Sequence, residues 1–512
     1  MSAPARTLMV QGTASGVGKS LLVAALCRLL RRQGLEVRPF KAQNMALNAA
    51  VTADGGEVGR AQALQALACG VDVTRAMNPI LLKPEGDRSA QLVVDGEVVG
   101  RMDAAAYHAL KPRLWPVVTA ALDRLRAECD VVVIEGAGSP AEVNLRDRDI
   151  VNMRVAAHAG APVLLAGDID RGGVFAALLG TLALLRPAER RRVAGLVVNN
   201  FRGDPLLFED GAAFLERRSR LPVLGVIPHV EGLRLAQEDS LGLPAMNGSA
   251  GGGPAAIDVA LVGLPRISNF DDCDPLLREP GVSVRLVDRG DRLGEPDLVV
   301  LPGSKASRAD LEVARDRGLH TALRAARRRG TAVLGICGGM QLLGRGVDDP
   351  GGVDAAPGCS AGFGLLPTAT RMSAEKVVRR VAGEVRPLPG LLEGATGLAV
   401  RGYEIHAGRT PARRPPLRLW PEAGGGAWED GASSPDGWVV GTHLHGLLDE
   451  PGLRRALLAA VARRRGRRWR PGRPTPGPEA ELDRLADAVG AALDMTRLDG
   501  IIHGVIGGGG TW

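Results

Sequence analysis

Two short runs in this 512-residue chain combine residue types and spacing that do chemistry. The first is Ala332-Val333-Leu334-Gly335-Ile336-Cys337-Gly338-Gly339-Met340-Gln341, in which Gly335-x-Cys337-x-Gly339 sits where an apolar strand meets a helix. That is the nucleophile-elbow pattern with sulfur in place of oxygen: the glycines permit a tight turn that exposes the thiol. The helix N-terminus lowers the thiol pKa, and the N–H groups that follow it suit an oxyanion. Cys337 is therefore the expected nucleophile. A thiolate needs a proton partner, and Thr442-His443-Leu444-His445-Gly446 offers two imidazoles. His445 is favoured because Gly446 lets the backbone approach closely, and His443 is the alternative.

The second run is Leu8-Met9-Val10-Gln11-Gly12-Thr13-Ala14-Ser15-Gly16-Val17-Gly18-Lys19-Ser20. An apolar strand enters a glycine-rich turn that opens a helix. Gly12, Gly16 and Gly18 let the backbone turn its N–H groups inward around a phosphate. Lys19 adds a mobile charge and Ser20 a hydroxyl suited to Mg²⁺. Thr13 stands where the strict spacing would have glycine, so the loop is the longer Gly-x5-Gly-Lys-Ser form. ATP and Mg²⁺ are the expected ligands.

Further residues fit this centre. Lys41, at the end of a short strand, begins Lys41-Ala42-Gln43-Asn44-Met45-Ala46-Leu47-Asn48, whose amides suit either an oxygen-rich substrate or the capping of a helix. Glu135, at the tip of the β-branched strand before Gly136-Ala137-Gly138-Ser139, occupies the place of a Walker-B-type metal ligand. Asp54, in Thr52-Ala53-Asp54-Gly55-Gly56, is a second metal candidate or a turn aspartate. The chain holds only six lysines (19, 41, 83, 111, 305 and 376) among 64 basic residues. In so arginine-biased a sequence each lysine marks a place that wants a compact ammonium.

The elements that must position these groups alternate strand with helix, with polar motifs at the carboxyl ends of the strands. That pattern predicts an α/β fold with parallel, doubly wound sheets. The domains expected are a P-loop domain over residues 1–242, a Gly/Ala/Pro-rich linker over 243–256 and a second α/β domain, carrying Cys337 and His445, over 257–452. Residues 453–512 then form a basic connector (462–473), an amphipathic helix (479–494) and a disordered tail (507–512).

Composition excludes several classes. Net charge is +7, but aromatic residues are 3 % of the chain, too few for base-stacking platforms, so no nucleic-acid partner is expected. Six cysteines without a CxxC pair fit a reducing compartment. Apolar runs are too short to cross a bilayer, and strand and P-loop begin almost at once. No secretory signal and a cytoplasmic location are therefore expected.

Taken together the motifs resemble the cobyric acid synthases, glutamine-hydrolysing amidoligases of cobalamin biosynthesis. The resemblance runs from Gly12 to about Asp499. Its most specific pieces are 40–48, 135–142, 168–175, 335–341, 402–406 and 441–446. It implies an N-terminal P-loop sheet of dethiobiotin synthetase type and a C-terminal domain like the class I glutamine amidotransferases. It also implies glutamine and a corrinoid, adenosylcobyrinic acid a,c-diamide, as substrates. Two departures stand out: Asn200 replaces a lysine before Phe-Arg-Gly-Asp, and Leu447 replaces the usual Glu two residues after the histidine, which leaves His445 without an obvious orienting group. The alternatives are the sibling enzyme that amidates the a and c carboxylates and a partitioning-type P-loop ATPase.

Overall fold

The structure, a computed structural model, describes residues 4–85, 89–235, 248–249, 256–354, 356–473 and 476–504. The chain forms two units: residues 1–46, 57–235 and 477–512 make the first, and residues 47–56 and 236–476 the second.

The first unit is built on a six-stranded parallel sheet. Its order is Val223–Pro228, Val193–Phe201, Val163–Asp168, Arg6–Gly12, Val131–Glu135, Val37–Phe40. The central strands read as continuous apolar runs because helices cover both faces. Register sets Val10 beside Glu135 and Gly12 beside Ala166, so the ends of three strands deliver the P-loop and the acid to one edge. A smaller four-stranded sheet (Gln43–Met45, Ile80–Pro84, Ser89–Val94, Glu97–Asp103) feeds the long helix Ala104–Ala127.

Sequence reading separated residues 453–512 from both domains, and the structure divides them instead. Helix Pro451–Arg464 buries Leu453, Leu457, Leu458 and Val461 in the core of the second unit. Helix Pro478–Ala492 returns to the first unit, where Leu482, Leu485 and Val489 pack with Leu22, Leu26 and Leu30 of the P-loop helix. Arg28 grips Asp483 with two hydrogen bonds of 2.7 and 2.9 Å. The apolar stripe on each helix needs a partner face, and the P-loop helix supplies it for Pro478–Ala492. The basic run is likewise more than a solvated connector. Arg464 lies 4.1 Å over the Trp438 ring, Arg465 reaches Asp297 at 3.0 Å, and Trp469 donates to the Pro280 carbonyl.

The second unit carries a seven-stranded sheet, ordered Gly248–Ser249, Val282–Val287, Ile257–Val262, Leu298–Leu301, Ala332–Ile336, Val439–Thr442, Ala432–Ser433. The five central strands are parallel and the two edges antiparallel. A second sheet is organised around the long hairpin Thr370–Val385 and Ala399–Arg409. Apart from residues 248, 249 and 256, the expected linker lies outside the described residues, as does the 507–512 tail. No helix among the described residues is long and apolar enough to cross a membrane.

Candidate functional site

Each unit holds one chemical centre. In the first, helix Lys19–Arg32 starts from Gly18 at φ +88°, a left-handed conformation that favours glycine; a Cβ there would meet the Asn199 amide at 2.2 Å. Asn199, at the tip of its strand, donates to the Val17 carbonyl at 2.8 Å and so pins the loop. Lys19 Nζ donates to the carbonyls of Ala14 (2.9 Å) and Gly138 (3.1 Å), folding across the turn it serves. The Thr13 N–H donates to Ala166 at 2.9 Å, and the Arg171 guanidinium stands over Gly16.

Glu135 is the electrostatic pivot. It is buried, and burial alone would raise its carboxyl. The Lys41 ammonium, 2.9 Å from Oε1, outweighs that effect, with hydrogen bonds from Gln65 to Oε2 (2.6 Å) and from Ser20 Oγ to Oε1 (2.8 Å). The carboxyl is thereby held below its ordinary value. Lys41, Glu135, Ser20 and Lys19 are thus brought together, and Gln65, which the sequence reading missed, joins them from helix Arg60–Cys69.

Asp54 lies in the 47–56 segment that groups with the second unit, where its carboxylate accepts from Thr52 Oγ1 in a tight turn. Two of the amides that follow Lys41 are hydrogen-bonded within the protein. Asn44 donates to Gln62 at 2.9 Å, and Asn48 accepts the Asn269 N–H at 2.7 Å. Lys83 is buried in an ion pair with Glu57.

In the second unit strand Ala332–Ile336 ends at Cys337, whose φ of +51° and ψ of −110° are sparsely populated for a residue with a Cβ. The glycines around it allow close approach: a Cβ on Gly339 would lie 1.9 Å from the Leu301 carbonyl oxygen, and one on Gly338 2.4 Å from the Ser304 nitrogen. Cys337 is 7 % exposed. Burial would raise its thiol, but the His445 imidazole facing it outweighs burial and lowers the pKa, helped by His443 and the Gly338 N–H. The helix that follows is only six residues long, so a side-chain cation rather than a helix dipole is the main influence.

His445 is in turn held by Asp272. Nδ1 lies 2.7 Å from Asp272 Oδ2, and Asp272 Oδ1 accepts the Gly446 N–H at 2.7 Å. Burial disfavours the imidazolium, yet Asp272 and Cys337 together push the His445 pKa up to about 10. Tyr403 stacks on the ring, 5.1 Å between centroids and 14° between planes. Asp272 therefore does the orienting that position 447 cannot. The sequence reading passed over it because it lies 173 residues before His445, with no spacing to betray the contact.

His443 faces other partners. It bonds to Asp430 at 2.8 Å and stacks on His406 with centroids 4.0 Å apart. Glu404, His406 and His443 line a cavity of about 630 Å³ that also carries Arg379 and Arg409.

Comparison with known proteins agrees with this division. Residues 8–243 match the CobQ/CobB/MinD/ParA nucleotide binding domain, and residues 258–452 the CobB/CobQ-like glutamine amidotransferase domain. Cobyric acid synthase of Sorangium cellulosum is 52 % identical, covering 97 % of this chain and 99 % of the relative. The Dehalococcoides mccartyi protein of that name is 47 % identical (98 % and 99 %), and the Paracoccus denitrificans one 50 % (96 % and 98 %). The chain belongs to the cobyric acid synthase family. Full-length similarity of this kind disfavours both the a,c-diamide synthase and the partitioning-ATPase readings.

Proposed function

We propose that this chain uses ATP and glutamine to amidate the b, d, e and g carboxylates of adenosylcobyrinic acid a,c-diamide, giving adenosylcobyric acid. The observation that carries the reading is the buried Cys337–His445–Asp272 relay, in a chain that also holds a complete P-loop centre.

In the second unit the Cys337 thiolate attacks the side-chain carbonyl of glutamine, forming a C–S bond. His445 gives its proton to the departing nitrogen, and ammonia leaves. Water then hydrolyses the thioester, releasing glutamate and restoring the thiol. Asp272 holds the imidazole in the tautomer that faces sulfur. The neighbouring cavity, with arginines and carboxylates on its wall, suits a zwitterionic amino acid.

In the first unit a substrate carboxylate is a poor electrophile, so its oxygen first attacks the γ-phosphorus of ATP, the bond to the β–γ bridging oxygen breaks, and ADP leaves behind an acyl phosphate. Ammonia then displaces phosphate from the acyl phosphate. Lys19 and Lys41 offset phosphate charge, and the loop N–H groups orient it. The Ser20 hydroxyl and the Glu135 carboxylate are hard oxygen donors beside the loop and fit Mg²⁺, which when bound would neutralise phosphate charge.

Mass spectrometry of the diamide incubated with ATP, Mg²⁺ and glutamine tests the reading. Four successive amidations are expected. Product from cobyrinic acid but not from its diamide would favour the sibling reaction instead.

A further inference from the structure

Helix Ala104–Ala127 holds a group that the reaction above does not use. Lys111 is 7 % exposed, yet its ammonium makes no hydrogen bond or ion pair among the described residues. Its one contact of note is the face of Tyr107, one turn earlier, 5.5 Å from the ring centroid. The nearby acid is already engaged: Asp149 accepts the N–H groups of Val151, Asn152 and Arg154 at 2.8, 2.9 and 3.0 Å. Beside Lys111, His108 has a buried Nδ1 without a partner. Burying a cation and leaving it unpaired is costly, and a protein that does so at a functional edge holds the charge for something that arrives.

The surroundings identify the class of ligand. Tyr107 donates its hydroxyl to Gln43 Oε1, and Gln43 lies two residues along the chain from Lys41, the lysine that grips Glu135. On the same strand, and on the same face as Gln43 by alternation, Met45 is 55 % exposed. Val143 and Leu145 are also exposed, in the loop that leads to the short helix Arg146–Arg148 packed against helix Ala104–Ala127. Unpaired positive charge, a phenol–amide pair and exposed apolar side chains fit a large apolar ring with carboxylates on its rim.

We propose that Lys111, with Tyr107 and Gln43 beside it, is a carboxylate-binding subsite that anchors a rim carboxylate of the acid substrate while a neighbouring one meets the γ-phosphate. This rests on the proposed function. Lys111 is a positioning residue and takes no part in the chemistry.

The test is steady-state kinetics of Lys111→Met and Lys111→Arg with ATP, glutamine and adenosylcobyrinic acid a,c-diamide, alongside thermal unfolding. K111M should raise the KM for the corrinoid tenfold or more, the loss of one charge-assisted contact. KM for ATP and the rate of glutamine hydrolysis should stay within twofold of the parent's. K111R should recover part of the corrinoid affinity. The unfolding midpoint of K111M should not fall, because the charge removed has no hydrogen-bond or ion-pair partner among the described residues and the methionine still covers the Tyr107 ring. An unchanged corrinoid KM would overturn the proposal, and so would a rise in the ATP KM instead, which would make the anion a nucleotide phosphate. A K111M protein that fails to fold would also overturn it, since the lysine would then be structural, and K111R would still report on the charge. A parent enzyme that consumes no corrinoid would refute the functional reading, and this proposal with it, whereas the lack of a K111M effect when the parent is active refutes this proposal alone.

Discussion

The two centres place buried charge by opposite means. Around Glu135 a carboxylate is made comfortable by donors close to the P-loop: Ser20 belongs to it, and Lys41 and Gln65 come from the next strand and helix. Around Cys337 the charge is relayed from Asp272 to His445 to sulfur, through residues 65 to 173 positions apart, and held by a strained turn. On the proposed function, the first centre binds and neutralises a substrate that brings its own negative charge. The second must then create a charge on its own nucleophile, so it needs a cation locked in place. One centre is built for occupancy and the other for reactivity.

That contrast can be broken at several points. Cys337→Ala should reduce glutamine-dependent amidation by about 10⁴-fold or more while amidation driven by added ammonia persists. Loss of both would dissolve the division. Lys19→Ala is the mirror case: about 10³-fold loss of amidation from either nitrogen source, with glutamine hydrolysis retained.

Asp272→Asn sharpens the comparison. Removing the charge that raises His445 weakens the imidazolium, so the Cys337 thiol loses the effect that lowers it. Glutaminase kcat/KM should fall by about 10²-fold. Its acid limb, which in the parent lies below the ordinary thiol range, should move to higher pH. A pH profile identical to the parent's would mean that Asp272 serves only the backbone of Gly446. The smallest expected effect is on stability. Leu485→Ala should destabilise the first unit by about 2–5 kcal/mol in calorimetry, leaving glutamine hydrolysis intact, because the return helix completes that unit's core.

These differences also explain what could be read from residues alone. The P-loop, Lys41 and Glu135 were legible because each stands in a contiguous motif at the end of a strand, and the elbow at Cys337 announced itself through its glycines. The alternating pattern was enough for two parallel sheets. Asp272 was not legible, since its partner is remote and position 447 drew attention to the wrong place. At Asp54 the residues alone leave two readings, because a turn aspartate and a metal aspartate share the same local pattern, and the structure adds its hydrogen bond from Thr52. The helix Pro478–Ala492 was recognised as amphipathic, but no local signal says which core receives its apolar face. That is settled by a fit between Leu482, Leu485 and Val489 and the P-loop helix.

The claim on which the account turns is that nitrogen freed by sulfur in one unit ends on a carboxylate activated in the other. The direct measurement is mass spectrometry of the corrinoid product after incubation with amide-¹⁵N-labelled glutamine, unlabelled ammonium, ATP and Mg²⁺. The account predicts one heavy nitrogen for every amide formed, with ATP consumed in step. Unlabelled product, or labelled ammonia released without ATP consumption or corrinoid amidation, would contradict it.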